Sequence, residues 1–125
     1  HKDEDQVTSF FKSIGFKTIY SPPSLLDSGK FHGGECIAVR NHIHTEYINS
    51  HILELITKQL NQQLRFAATI IKVKHLSFIY AVVYFWDGEG FSDRNQTILM
   101  QLHMLTQLLR LSVAMLAQVL IPRSL

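Results

Sequence analysis

His42 and His44, spaced two apart, and Asp87, Glu89 and Asp93, gathered around one turn, are the side chains whose type and spacing could hold a metal. On a strand, residues two apart share a face, so the two imidazoles would sit together, with Cys36, His51 or His75 to complete a zinc set. No second close pair supports such a set. The three carboxylates could gather a divalent cation, but calcium asks for about six to eight oxygens and this loop lacks the spacing of a cage. A solvated turn whose Asp93 caps a helix is the simpler reading. Lys72, Lys74, Arg94 and Arg110 could touch a phosphate, although alternating lysines are also the wet face of a strand. Tyr84 ends an apolar run, where a phenol serves as a core ring with its hydroxyl at the rim or as a site group. Cys36, inside an apolar strand, reads as a small buried hydrophobe.

The stretch Ser77 to Asn95, SFIYAVVYFWDGEGFSDRN, must position most of these groups. Its opening run up to Trp86 is almost wholly apolar and rich in Ile, Val, Tyr and Phe, which predicts a strand buried on both faces. The DGEG turn supplies two glycines where the backbone reverses. Ser92 and Asp93 then cap a Leu-rich helix over 93–111. That helix carries Ile98, Leu102, Leu105 and Leu109 on one face and Leu99, Met100, Met104 and Leu108 on others, so burial nearly all round is expected. The preceding segment 65–74, RFAATIIKVK, ends in clean alternation. Only His75 and Leu76 separate it from the next strand, which predicts a tight buried hairpin over 65–86.

Upstream, Val7, Phe10, Phe11 and Ile14 recur at helical spacing and Gly15 stands where that helix stops. A strand over Phe16 to Tyr20 ends at Ser21-Pro22-Pro23, because proline cannot continue a ladder. A loop over 24–34, with Ser28-Gly29 and Gly33-Gly34 as turn signals, leads to a second strand over 35–40. The polar segment 42–50 carries no clear assignment. Ile52, Leu55, Ile56 and Leu60 line one face of a helix over 50–62, and Val113 to Ile121 forms a last strand stopped by Pro122. The order is helix, strand, strand, helix, hairpin, helix, strand. That order predicts a mixed α/β (α+β) layered fold.

At 125 residues the chain (1–125) makes a single domain or a fragment of one, long enough for a core. Apolar residues at 46% and charged residues at 18% fall within globular limits, and a net charge of +2 by itself points to neither nucleic acid nor an anionic membrane. The lone cysteine excludes an internal disulfide framework, and no signal-type h-region follows His1. The expectation is an intracellular chain that is not secreted, either a processed product or a piece of something longer. Residues 97–121 would reach across a bilayer if helical throughout, at about 25 residues. Centring Arg110 there costs about 2.5–3.5 kcal/mol, and Gln101, His103, Gln107 and Gln118 add to it, so such a helix would need polar-tolerant neighbours.

Three pieces in this order carry a resemblance. HGGECIAVRNHI, in which Gly33-Gly34 leads into a strand, resembles the GG-φ-A-φ-φ-V-R segment of the endonuclease/exonuclease/phosphatase superfamily, in particular its retroelement (AP-endonuclease-like) branch. RFAATIIKVKHLSFIYAVVYFWDGEGFSDRN is similar to that family's hairpin, whose second strand ends at an active-site tyrosine before a Gly-rich turn. LRLSVAMLAQVLIP, after a Leu-rich helix, is similar to the strand that normally ends in Gly-Asp-φ-Asn-φ-Pro. The match runs over roughly residues 8–125.

The resemblance implies the central part of a four-layer α/β sandwich and, in working members, Mg²⁺-assisted attack of water on a phosphodiester. Tyr84 falls on the active-site tyrosine. The catalytic Asp and Asn positions fall on Gln118 and Leu120, which can supply neither an anionic base nor a polar contact to phosphate. The family's early Asn and metal-binding Glu would lie upstream of His1, and its closing Asp-His pair beyond Leu125. Three outcomes follow as expectations. The first is a non-catalytic remnant with no cofactor, acting structurally or through protein partners that cover an exposed apolar face. The second is a small accessory subunit of a large assembly, membrane-embedded through 97–121 as a buried or transmembrane helix. The third and weakest is an active Mg²⁺-dependent endonuclease. Nucleic acid as a partner, and a nuclear setting, follow from ancestry alone; an organellar or membrane assembly follows from the second outcome.

Overall fold

The computed structural model describes residues 2–20 and 36–119, with side chains over 5–20 and 36–114. The loop expected over 24–34, the Gly33-Gly34 pair, Glu35 and Leu120 lie outside the described residues.

A mixed α+β fold results. In chain order it comprises α1 (Lys2–Ser13), β1 (Phe16–Tyr20), β2 (Cys36–Arg40), β3 (His44–Glu46), α2 (Ser50–Leu60), β4 (Phe66–Val73), β5 (Leu76–Phe85), α3 (Asp93–Leu109) and β6 (Val113–Val119). Strands β3-β4-β5-β6 form a four-stranded sheet, and β1-β2 form a separate two-stranded ribbon. All pairings are antiparallel except β5–β6, which is parallel and joined by α3 as its crossover.

The central hairpin explains the layers. The pairings of Phe66 with Val83, Ala68 with Ala81 and Ile70 with Ile79 put these residues on one face, against Ile98, Leu102 and Leu105 of α3 and Ile56 of α2. The other face carries Ala67, Tyr80 and Val82, and there Ile19, Ile37 and Val39 of the ribbon lie across it. β5 thus meets a layer on each side but falls short of the expected burial on both faces: Ile79, Ala81 and Val83 are buried under the helices, whereas Tyr80 and Val82 beneath the ribbon are half-buried and Leu76 is exposed. The outward face of the ribbon meets α1. Phe11 packs edge-on against Phe16 at 6.1 Å, and the Thr8 hydroxyl lies 2.8 Å from that of Tyr20.

Local chemistry sets the ends. Gly15, at φ +91°, turns α1 into β1, and its carbonyl accepts the Asn41 N–H at the far end of the ribbon. Asn49 caps α2 by accepting the His51 N–H at 2.8 Å, and Asn61 ends it in the left-handed region. Ser92 caps α3 as expected, by accepting the Asn95 N–H.

Several expectations need correction. The hairpin turn is Lys74-His75 rather than His75-Leu76, because Val73 pairs with Leu76 and Lys74 takes φ +55°. The segment 42–50 contains β3, short and polar because it is an exposed edge strand. α3 is not buried all round: Met100 is 56% exposed and Leu108 is open as well, since only one side of the helix meets the sheet. Residues 97–121 are not one helix. Arg110 caps α3 in the left-handed region, and the chain leaves it as β6 beside β5. Among the described residues no helix is long and apolar enough to cross a membrane.

Candidate functional site

The two sequence-marked positions Tyr84 and Gln118 come together at the ends of β5 and β6, where they are Cα partners in the parallel ladder. Tyr84 is half-buried and bracketed by Arg65, the residue before β4. The Tyr84 N–H donates to the Arg65 carbonyl at 2.8 Å, and Arg65 Nε donates back to the Tyr84 carbonyl at 3.0 Å. The same guanidinium lies 4.8 Å from the centroid of the Tyr84 ring and 3.9 Å from that of Trp86.

Trp86 begins the turn beyond β5 and takes a second cation, with the Arg94 guanidinium carbon 3.8 Å from its centroid. Glu89 accepts from Arg94 in a forked ion pair and from the Ser92 hydroxyl at 2.9 Å. Hydrogen bonding from Arg94 holds the Glu89 carboxyl below the usual carboxylate range, against the opposing effect of desolvation, with Ser92 assisting. The same pair raises Arg94 above the ordinary arginine value. Asn95, buried at the start of α3, ties the turn together through bonds to Trp86 and to the Gly90 carbonyl. Beside this cluster lies a groove of about 360 Å³ whose walls include Phe85, Trp86, Phe91 and Leu99. Gly88 and Gly90, at φ +71° and +56°, form its lip, in a conformation that side-chain-bearing residues rarely adopt.

The expected ligand sets are not assembled. Among the described residues no three of His, Cys, Asp or Glu come together in a metal-holding group. Glu89 is committed to Arg94 and Ser92, while Asp93 occupies the first turn of α3, where its charge favours the helix N-terminus. Asp87 sits half-buried in the turn. His42 lies in the turn after β2 and only His44 is on a strand, so the shared-face arrangement is not formed. His44 instead stands 3.8 Å from Glu46, which pairs with Lys72 at 2.7 Å. Hydrogen bonding from Lys72 lowers the Glu46 carboxyl. The four cations considered for phosphate are dispersed: Lys72 on Glu46, Lys74 in the hairpin turn, Arg94 on Glu89 and Arg110 at the end of α3. Cys36 is half-buried rather than buried, because its partner Tyr20 lies on the ribbon face turned from the sheet.

Sequence reasoning did not single out Arg65, Trp86 or Asn95. For Asn95 a signal existed: an amide three residues after a capping serine can serve a turn as well as a helix. The stacking of Arg65 and Arg94 on Trp86 had none, because it depends on bringing the start of β4 to the end of β5. No family model, curated protein or solved structure matches the chain.

Proposed function

We propose that this chain is a non-catalytic remnant of an endonuclease/exonuclease/phosphatase-like core, which acts structurally by binding protein partners. The observation that carries this reading is the register of β5 and β6, in which Tyr84 is the partner of Gln118. The resemblance calls for an aspartate at that position. A neutral amide there accepts hydrogen bonds but takes no proton from water. The order of elements, with a hairpin leading through a Gly-rich turn and a Leu-rich helix to a parallel strand, supports the same ancestry.

Partner binding is supported by apolar side chains left at the surface. Phe10 and Ile14 of α1, Leu76 at the hairpin, Phe91 in the turn and Met100 on α3 all remain exposed. Such side chains mark an interaction surface where they form one contiguous patch, whereas singly exposed ones are ordinary.

Incubation of the purified chain with supercoiled plasmid and Mg²⁺ tests the non-catalytic part of the reading. The expected result is no conversion to the open-circular form above a metal-free control. Metal-dependent nicking that survives rigorous purification and disappears on Tyr84→Ala would overturn it.

A further inference from the structure

The hairpin of β4 and β5 rises beyond the strands beside it. β3 reaches only as far as Lys72, through His44, and β6 begins opposite Ile79. Every residue from Lys72 to Ser77 is exposed. At the apex Val73 and Leu76 are Cα partners, 46% and 69% exposed, so their side chains stand together on one face. Lys74 and His75 make the turn between them. These two aliphatic groups form a pair at the end of a projection, unlike an apolar residue exposed singly.

Cations surround this apex. Lys72 lies next to Val73 on the opposite face, across from His44. The ribbon end is tied to the same place: Lys17 Nζ donates to the Ile43 carbonyl at 2.7 Å, and Phe16, Arg40, Ile43 and Ile71 line one cavity. Lys12, in the last turn of α1, comes just before Gly15, whose carbonyl accepts the N–H of Asn41 beside Arg40. Among the described side chains Glu46, bound to Lys72, is the one carboxylate at this end. Asp87, Glu89 and Asp93 belong to the turn beyond Phe85, roughly 30 Å along β5 from Leu76. Asp5 precedes Thr8, which meets Tyr20 at the far end of the ribbon. Glu54 follows Leu53, which lies with Phe66 at the far end of β4. Residues 21–35 and 120–125 join the described structure at Tyr20, Cys36 and Val119, also toward that far end: Tyr20 lines a cavity with Phe66, and Val119 is the partner of Phe85. The apex therefore rests on described residues alone.

A convex apex fits a surface that yields, and its chemistry chooses which. Aliphatic side chains need an apolar phase and cations an anionic one, and the two occur together at the interface of an anionic bilayer. Nucleic acid would engage the cations but leave Val73 and Leu76 idle. No phenylalanine, tyrosine or tryptophan stands between Lys72 and Ser77 for a base to stack on.

We propose that the tip of the β4–β5 hairpin docks this chain peripherally on membranes that carry anionic phospholipids. Val73 and Leu76 enter the boundary between headgroups and acyl chains. Lys72 and Lys74 meet headgroup phosphates, their flexible stems letting the ammonium groups stay at headgroup level. Lys12, Lys17 and Arg40 add to the attractive field behind them. Two aliphatic side chains offer too little apolar area to hold a protein on a neutral bilayer, so docking requires anionic lipid and weakens with salt. This inference goes beyond the partner-binding reading and does not depend on it.

The test mixes the full chain with phosphatidylcholine vesicles made with and without phosphatidylserine, and co-flotation measures the bound fraction. The charged vesicles should bind at least about tenfold more strongly, and added salt should release the chain. Lys74→Glu changes two charges and should weaken binding by about tenfold or more, at about fivefold for each cation near the surface. Leu76→Ser should weaken it several-fold. Both positions are exposed, and thermal melts check that both variants fold. In bicelles carrying a spin-labelled lipid, amide broadening of the isotope-labelled parent chain should centre on residues 72–77. That map needs no substitution and decides the case if a variant fails to fold. Equal capture by both vesicles, no capture at millimolar lipid, a folded variant that binds as the parent does, or broadening centred on the turn after Phe85 overturns the proposal. Duplex DNA that binds the chain as tightly as the charged vesicles, with Leu76→Ser unchanged, also overturns it, by giving the cations to nucleic acid.

Discussion

Asn95 holds Trp86 from both sides of its backbone: Oδ1 accepts the Trp86 N–H at 2.7 Å, and Nδ2 donates to the Trp86 carbonyl at 3.1 Å. Nδ2 also donates to the Gly90 carbonyl at 2.7 Å, so one buried amide stitches the start and the end of the DGEG turn to α3. Trp86 is thereby fixed where Arg65 and Arg94 stack on it, and the turn beyond Tyr84 becomes a defined surface rather than a loose connection.

Truncating that amide should loosen the whole turn. Asn95→Ala leaves three backbone groups without partners in a part-buried setting, a loss of about 2–4 kcal/mol given about 1–3 kcal/mol for a buried unsatisfied group. Urea unfolding followed by the fluorescence of Trp86, the single tryptophan, checks this. A midpoint unchanged from the parent chain would show that the turn does not depend on Asn95.

The core predicts a sharp contrast between two phenylalanines. Phe66 is 0% exposed and central to the helix-side cluster, whereas Phe91 is 73% exposed at the groove. Phe66→Ala should cost about 3–5 kcal/mol through lost burial and the cavity left behind. Phe91→Ala should stay within about 0.5 kcal/mol, as surface substitutions do. Paired denaturation curves separate the two, and a similar cost at both positions would contradict the layering.

Acid should release the Glu89–Arg94 contact. The folded-state pKa of Glu89 lies below its ordinary value of 4.5, so the contact stabilises the fold fully above pH 4.5. That contribution is lost as pH falls from there through the lower folded value. Glu89→Gln should therefore lower stability at neutral pH and flatten its decline below pH 4.5. Added salt should also weaken the parent's advantage, because the pair is exposed to solvent. Identical pH profiles for parent and variant would sink this assignment.

The break after α3 can be tested at Arg110. It sits at φ +55°, where its backbone N–H donates to the Thr106 carbonyl. Glycine adopts that conformation without side-chain strain but loses more entropy on folding, so Arg110→Gly should be stabilising by about 0.5 kcal/mol. Arg110→Val, β-branched, should destabilise by about 1–2 kcal/mol. Thermal melts rank the three. A valine variant more stable than the other two would mean that the helix runs on past Leu109 and that the left-handed cap is wrong.

Much of the fold is legible in the sequence for local reasons. The period of Phe66 to Phe85, the Gly-rich turn and the Ser92 cap each fix their element through short-range sterics and hydrogen bonding. The polar strand β3 was not legible, because three residues hold no period and become a strand only when β4 offers its edge.

By itself, then, the sequence determines the mixed α+β class, the buried hairpin and a neutral Gln118 where the proposed ancestry calls for an acid, since those depend on residue type and spacing. Tertiary structure alone decided the rest. It broke 97–121 at Arg110, left the described histidines and carboxylates without a metal-holding group, and brought Arg65 to Trp86 and Tyr84 to Gln118. Those relations link residues far apart in the chain, and only the pairing of strands and the packing of layers fixes such distances.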